Sequence, residues 1–169
     1  MEHFMKPGVG GIIERTINGT TYILVQERYK DDAPLEEGLI EIPAGKIREF
    51  ENIYDCLRRE INEETGLDVV EIEGESDSTI LESNGYKVLS YEPFASSQNI
   101  EGAYPIMVQV FICRVKGNLV TSTNETRFIR WITLEELKDL LENQWNRFYP
   151  MHVNTLRKYI KLKTKPNSV

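Results

Sequence analysis

The sequence predicts a single α+β domain over residues 1–169, and three observations carry that reading. Two Asn-Gly pairs, Asn18-Gly19 and Asn84-Gly85, each separate two β-rich runs. Between these pairs, Asn52 to Glu64 carries apolar residues at helical spacing and is followed by Gly66. Late in the chain, Thr133 with Glu136 three residues on forms a capping box that opens a further helix. Short strands with helices between and after them fit a mixed α+β domain rather than a regular βαβ repeat.

In chain order, Val9 to Arg15 and Thr20 to Arg28 flank Asn18-Gly19. They predict a hairpin, because both turn residues readily take positive φ. Gly10-Gly11 weakens the first strand and marks either a close backbone approach or a bulge. Tyr29 to Gly38, with Asp31-Asp32 and Pro34, reads as a loop. The short strand Leu39 to Ile42 follows and is stopped by Pro43 and Gly45. In the first helix Ile53, Cys56, Leu57 and Ile61 share a face, and Gly66 stands where a left-handed residue closes a C-terminus. Strand-like runs come next at Val69 to Ile72, Ser78 to Ser83 and Tyr86 to Tyr91, the last two joined across Asn84-Gly85. Ala95 to Ala103 reads as a loop. Ile106 to Val115, the most apolar run, predicts a central strand, and Phe128 to Ile132 adds another. The capped helix runs from Thr133 through Asn143, and Met151 to Lys161 gives a last helix with a basic solvated face.

Composition narrows the function. A chain of 169 residues with net charge -7 offers no surface for neutralising many nucleic-acid phosphates, so a polyanionic substrate would need bound cations. Met1 to Gly8 lacks the layout of a secretory signal, and no window reaches the apolar length of a membrane span. Cys56 and Cys113 have no CxxC spacing, and only His3 and His152 would join them as soft ligands. A cytoplasmic protein with reduced, buried thiols and no zinc is the expectation.

Glu60, Glu63 and Glu64 fall at i, i+3 and i+4 of the first helix, which sets their carboxylates on one face within a few ångströms. Each like-charge pair costs a helix about 0.2–0.5 kcal/mol. Either a hard divalent cation offsets the repulsion, or Arg58, Arg59 and Lys46 balance a solvated face. The surroundings favour the cation. From Gly45, five residues lead to Glu51 and seven more to Arg59-Glu60, followed by Ile61, Asn62, Glu63-Glu64, Thr65, Gly66 and Leu67. This fills every position of G-x5-E-x7-R-E-U-x-E-E-x-G-U, where U is aliphatic, and the segment resembles the Nudix box.

The resemblance implies a fold in which mixed β-sheets lie between helices, α/β/α. It also implies magnesium-dependent cleavage of a pyrophosphate, with Mn2+ as a possible substitute. Glu60 and Glu64 look like the principal metal ligands, Glu63 like a further ligand or an orienter of metal-bound water, and the Ala44 carbonyl like the completing donor. Arg59 and Glu51 resemble the supporting pair that ties down the loop before the helix. Relatives often draw one more carboxylate from a distal loop, for which Glu125 is the candidate and Glu101 the rival.

Glu41 to Lys46, Glu-Ile-Pro-Ala-Gly-Lys, resembles the run common among ADP-ribose and nucleotide-sugar pyrophosphatases, whose preceding strand also carries an arginine, here Arg28. Arg28 and Glu41 are accordingly candidate substrate residues, and relatives with this loop often work as homodimers. One departure is that Glu82-Ser83 stands where those enzymes usually have a proline. The extra hairpin Ser78 to Tyr91 would displace that loop to Glu92-Pro93-Phe94, which lacks the expected glycine. Tyr86, Tyr91, Phe94 and Tyr104 are candidate stacking platforms for a base. A nucleoside triphosphate or dinucleoside polyphosphate hydrolase is the alternative enzyme. A sensing module that does not cut is the alternative class, though such modules commonly lose box glutamates and none is lost here.

Overall fold

A computed structural model describes residues 1–29 and 34–165, so part of the loop predicted before Leu39 lies outside the described residues. The Asn18-Gly19 turn, at φ 49° and 78°, joins β1 (Lys6–Ile17) to β2 (Thr20–Arg28) as an antiparallel hairpin. After β3 (Ile40–Glu41) and β4 (Ala44–Lys46) comes α1 (Ile53–Thr65). Asn52 caps its N-terminus by accepting from the Tyr54 N–H, and Gly66 closes it at φ 75°. Then follow β5 (Asp68–Ile72), the hairpin β6 (Thr79–Ser83) and β7 (Tyr86–Ser90), β8 (Ala95–Gln98), β9 (Ile106–Lys116), β10 (Thr126–Thr133), α2 (Leu134–Asn143) and α3 (Pro150–Thr164). Thr133 caps α2 by accepting from the Glu136 N–H.

Among the described residues the main sheet has eight strands, five along the path β10-β2-β1-β9-β5 and three beside it, β3 on β2, β4 on β1 and β8 on β9. β1 and β9 run parallel and the other pairs antiparallel, which makes the sheet mixed. Side chains alternate across it. Ile12, Ile23, Val25, Val110 and Ile112 join α2 and α3 in one core, while Val9, Ile13, Leu24, Phe111 and Cys113 join α1 in the other. The sheet therefore lies between helices on both faces. β9 is central, as its apolar run predicts.

Two loops expected from the sequence are strands. Ala44–Lys46, where Pro43 and Gly45 were expected to end the extended run, instead pairs with Gly8, Val9 and Gly10 of β1. Ala95–Gln98 pairs with β9 from Val110 to Met107. Ala-Ser-Ser-Gln has weak β propensity, and a central partner strand overrides it. Gly10-Gly11 marks a close approach, since β1 keeps its register with β9 through both residues. A Cβ on Gly11 would stand 2.9 Å from Ile61 Cδ1 of α1, and one on Gly10 would stand 3.2 Å from Ala44 Cβ. The glycines let the helix and β4 settle onto β1.

Both cysteines are free and buried, and burial pushes each thiol up to about 12. His152 on α3 is 1% exposed, and its Nδ1 has no partner among the described residues. Burial, and secondarily the charge of Arg28, pushes its pKa down to about 3 from 6.5. Between those values the unfolded chain takes a proton that the fold refuses, so stability falls as pH drops from 6.5 towards 3 and levels off below. In denaturant unfolding at stepped pH, His152→Leu is expected to flatten the loss between pH 6.5 and 4.5. An unchanged slope there would count against His152 as its source.

Candidate active site

The loop carrying β4 packs directly on α1. Ala44 N–H donates to Glu64 Oε2 at 3.2 Å. Gly45 lies against Glu60, because a Cβ at 45 would stand 1.8 Å from Glu60 Cδ. The Lys46 carbonyl accepts from Arg59 Nη2 at 3.2 Å. Glycine at 45 thus leaves room for the Glu60 carboxylate to lie against the loop.

Arg59 is the hub. Its Nε and Nη2 fork onto the two oxygens of Glu51 at 2.7 and 2.9 Å, and its Nη1 reaches Glu60 at 2.5 Å and Glu63 at 3.3 Å. The fork onto Glu51, with the Arg48 N–H adding a bond, draws the Glu51 pKa down to about 2 from 4.5. Glu51 therefore stabilises the fold at pH above 4.5, and that contribution is lost as pH falls towards 2. The supporting pair expected from the box is present as a bidentate contact.

Glu64, 5% exposed, turns the other way. Its Oε2 accepts from Gln26 Nε2 at 2.9 Å as well as from Ala44 N. The same Gln26 nitrogen donates to Glu41 Oε1 at 3.3 Å, and Glu41 Oε2 accepts from Arg28 Nη1 at 2.8 Å. Arg28 also pairs with Glu36 at 2.7 Å and lies 4.3 Å from the Tyr149 ring centroid. Burial works against the Arg28 charge, yet Glu41 above all raises its pKa. Arg28 and Glu41 thus pair with each other beneath the site, with Glu41 only 3% exposed.

The three glutamates share a face of α1, and Arg59 Nη1 meets both Glu60, at 2.5 Å, and Glu63, at 3.3 Å. Like charges repel, and each carboxylate settles on its nearest donor: Glu60 and Glu63 on Arg59, Glu64 on Gln26 and Ala44. The donor set itself suits a hard divalent cation, being carboxylates beside the backbone of a loop packed against them.

Glu125 is exposed immediately before β10, and its carbonyl accepts from the Tyr29 N–H at 2.8 Å. The next residue, buried Thr126, donates from its hydroxyl to the Glu64 carbonyl at 3.5 Å, so the distal candidate borders the last turn of α1. Glu101 is exposed in the connection between β8 and β9. Of the candidate platforms, Tyr91 packs with Tyr54 and Phe111, and Phe94 packs on Tyr159. Tyr91, Pro93 and Phe94 line a cavity of about 620 Å³ to which no box residue contributes. Tyr86 is exposed at the β6–β7 turn. Tyr104 has Lys6 and Lys46 at 4.7 and 5.2 Å from its ring centroid.

Two features escaped the sequence reading. Arg127 stacks on Tyr29 at 3.4 Å, beside Glu125, and no local signal marks that pairing. Gln26 also went unmarked, and its one local signal is that it follows the apolar run Ile23-Leu24-Val25.

A mixed sheet between helices, with a glutamate-bearing helix packed on a glycine loop, defines the class. A sequence profile described as NUDIX domain matches residues 5–152, and the chain belongs to that family. Hydrolases of this family generally use divalent metal ions. No curated protein is similar enough in sequence to count as a match.

Solved structures share the fold at low identity. The Escherichia coli ORF135 protein is 21% identical, with a TM-score of 0.61 and coverage of 98% of this chain and 95% of its own. The NUDIX domain of Shewanella oneidensis NrtR, solved with ADP ribose, is 14% identical, with a TM-score of 0.67 and coverage of 96% and 91%. A Caenorhabditis elegans Ap4A hydrolase is 15% identical, with a TM-score of 0.55 and coverage of 94% and 97%.

Proposed function

We propose that the chain hydrolyses the pyrophosphate of a nucleoside diphosphate linked to a second group, with ADP-ribose the substrate it suits best. Water adds across the bond and the products are AMP and ribose 5-phosphate. The observation that carries this reading is the hydrogen bond from Ala44 N to Glu64, which joins the Glu-Ile-Pro-Ala-Gly-Lys run to the box helix in one site. The ADP ribose bound by the NrtR domain supports the same substrate class.

Glu60, Glu63, Glu64 and the Ala44 carbonyl would hold Mg2+ or Mn2+, which when bound neutralises phosphate oxygens and activates water. The chain's own residues prepare that ligand set from two sides. Arg59 restrains Glu60 and Glu63 while anchoring the loop through Glu51, and Gln26 and Ala44 N restrain Glu64. Glu125, whose neighbour Thr126 touches the last turn of α1, takes the proton of the attacking water, with Glu101 and a box glutamate as the rival bases. Arg28 and Glu41 serve by holding Gln26, and Lys6 and Lys46 gather positive charge over Tyr104.

A screen over ADP-ribose, nucleotide sugars, nucleoside triphosphates and diadenosine polyphosphates, with products identified, tests this. AMP and ribose 5-phosphate from ADP-ribose are expected. Untouched ADP-ribose and nucleotide sugars beside efficient turnover of triphosphates or diadenosine polyphosphates would install the second reading. The fold shared with Ap4A hydrolase and the absent proline turn favour that alternative. We also infer a homodimer at micromolar concentration, and a monomeric mass by light scattering with undiminished activity would remove it.

A further inference from the structure

We propose that Gln26 is a positioning residue for the metal-binding carboxylates, fixing Glu64 and keeping it apart from Glu41; this rests on the reading of Glu64 as a metal ligand. Gln26 is 0% exposed on β2, inside the sheet, and its amide nitrogen has two acceptors, Glu64 Oε2 at 2.9 Å and Glu41 Oε1 at 3.3 Å. An amide nitrogen has two N–H groups, so these acceptors use both. A flip of the amide would turn its oxygen towards two carboxylates, so the orientation is locked. The consequence is visible on the other side: Gln26 Oε1 is buried and has no partner among the described residues.

A buried acceptor without a donor lowers stability, and an apolar side chain of the same length would remove that cost. The chain instead keeps the glutamine, whose amide nitrogen serves both Glu41 and Glu64. What the amide supplies is a pair of donors between two buried carboxylates. Glu41 is neutralised from behind by Arg28, which itself is held by Glu36, so the Gln26 anchor stands on a fixed base. Glu64 is then held by Gln26 and by the Ala44 N–H on the same oxygen, Oε2, which sets the plane in which its carboxylate can meet a cation.

The test is Gln26→Met, which keeps length and removes both donors. Mn2+ binding is followed by electron paramagnetic resonance of the free ion, together with the metal dependence of turnover. Loss of an outer partner of a metal ligand typically weakens metal affinity by about 10–100-fold. The variant is expected to lose Mn2+ affinity by that factor, with kcat recovering at saturating metal, and to melt at a lower temperature without metal because two buried carboxylates lose a donor. A dissociation constant within about twofold of the parent would overturn the proposal. Should Gln26→Met fail to fold, the Gln26 side-chain amide of the parent protein gives the answer by NMR. Its resonances are expected to shift on adding Mg2+ with the midpoint of the metal dependence, and unmoved resonances would overturn the proposal. Parent protein that binds Mn2+ yet hydrolyses no tested substrate would sink the proposed function alone, since the binding comparison at Gln26 needs no turnover.

Discussion

Glu64→Gln is expected to lower kcat by on the order of 10²–10³-fold, the scale seen when one electrostatic group of an active site is removed, while leaving the fold intact. The argument is geometric. The glutamine carbonyl at 64 can still accept from Gln26 Nε2 and Ala44 N, the two donors that meet Glu64 Oε2. Packing and local hydrogen bonding therefore survive, and what disappears is the negative charge. Circular dichroism and thermal unfolding should match the parent closely. A variant that retains most of its turnover would show that Glu64 has no part in holding the ion, and the assignment of the whole helix face would need revision.

Gly45→Ala makes a complementary prediction. The added Cβ would stand 1.8 Å from Glu60 Cδ and 2.0 Å from its Oε2, so the carboxylate must move. Since that carboxylate ends a flexible side chain, the movement costs the fold little. Gly45 is not among the glycines with positive φ, so alanine suits its backbone. The displaced Glu60 leaves its place against the loop and its 2.5 Å contact with Arg59. Turnover is expected to fall by on the order of 10²-fold, as when a few ångströms of misplacement spoil an active site. The melting temperature should change by only a few degrees. Unaltered turnover would mean that the position of Glu60 beside the loop is irrelevant to the chemistry.

The sequence carried those parts of the fold that rest on local signals. Asn18-Gly19 and Asn84-Gly85 specify two hairpins through their backbone preferences, and Asn52, Gly66 and Thr133 bound their helices through hydrogen bonds to nearby residues. β4 and β8 escaped because their strands exist only by pairing with β1 and β9, contacts that no local propensity records. In the site, the spacing of the box made Glu51, Arg59 and the helical glutamates legible together. The chain Arg28, Glu41, Gln26, Glu64 was not legible, because Gln26 meets partners 15 and 38 residues away. Arg28 and Glu41 stood out in the sequence as substrate candidates, whereas in the fold they face each other and Gln26.

The central claim, that box glutamates on α1 work through a divalent cation to cut a pyrophosphate, is tested most directly by one titration. ADP-ribose, or whichever nucleotide the screen selects, is turned over by the parent protein, then in excess chelator, then after Mg2+ is restored in excess over the chelator. Activity should vanish with the chelator and return with the metal, and the released products should be the same before and after. Undiminished turnover in excess chelator would contradict the account.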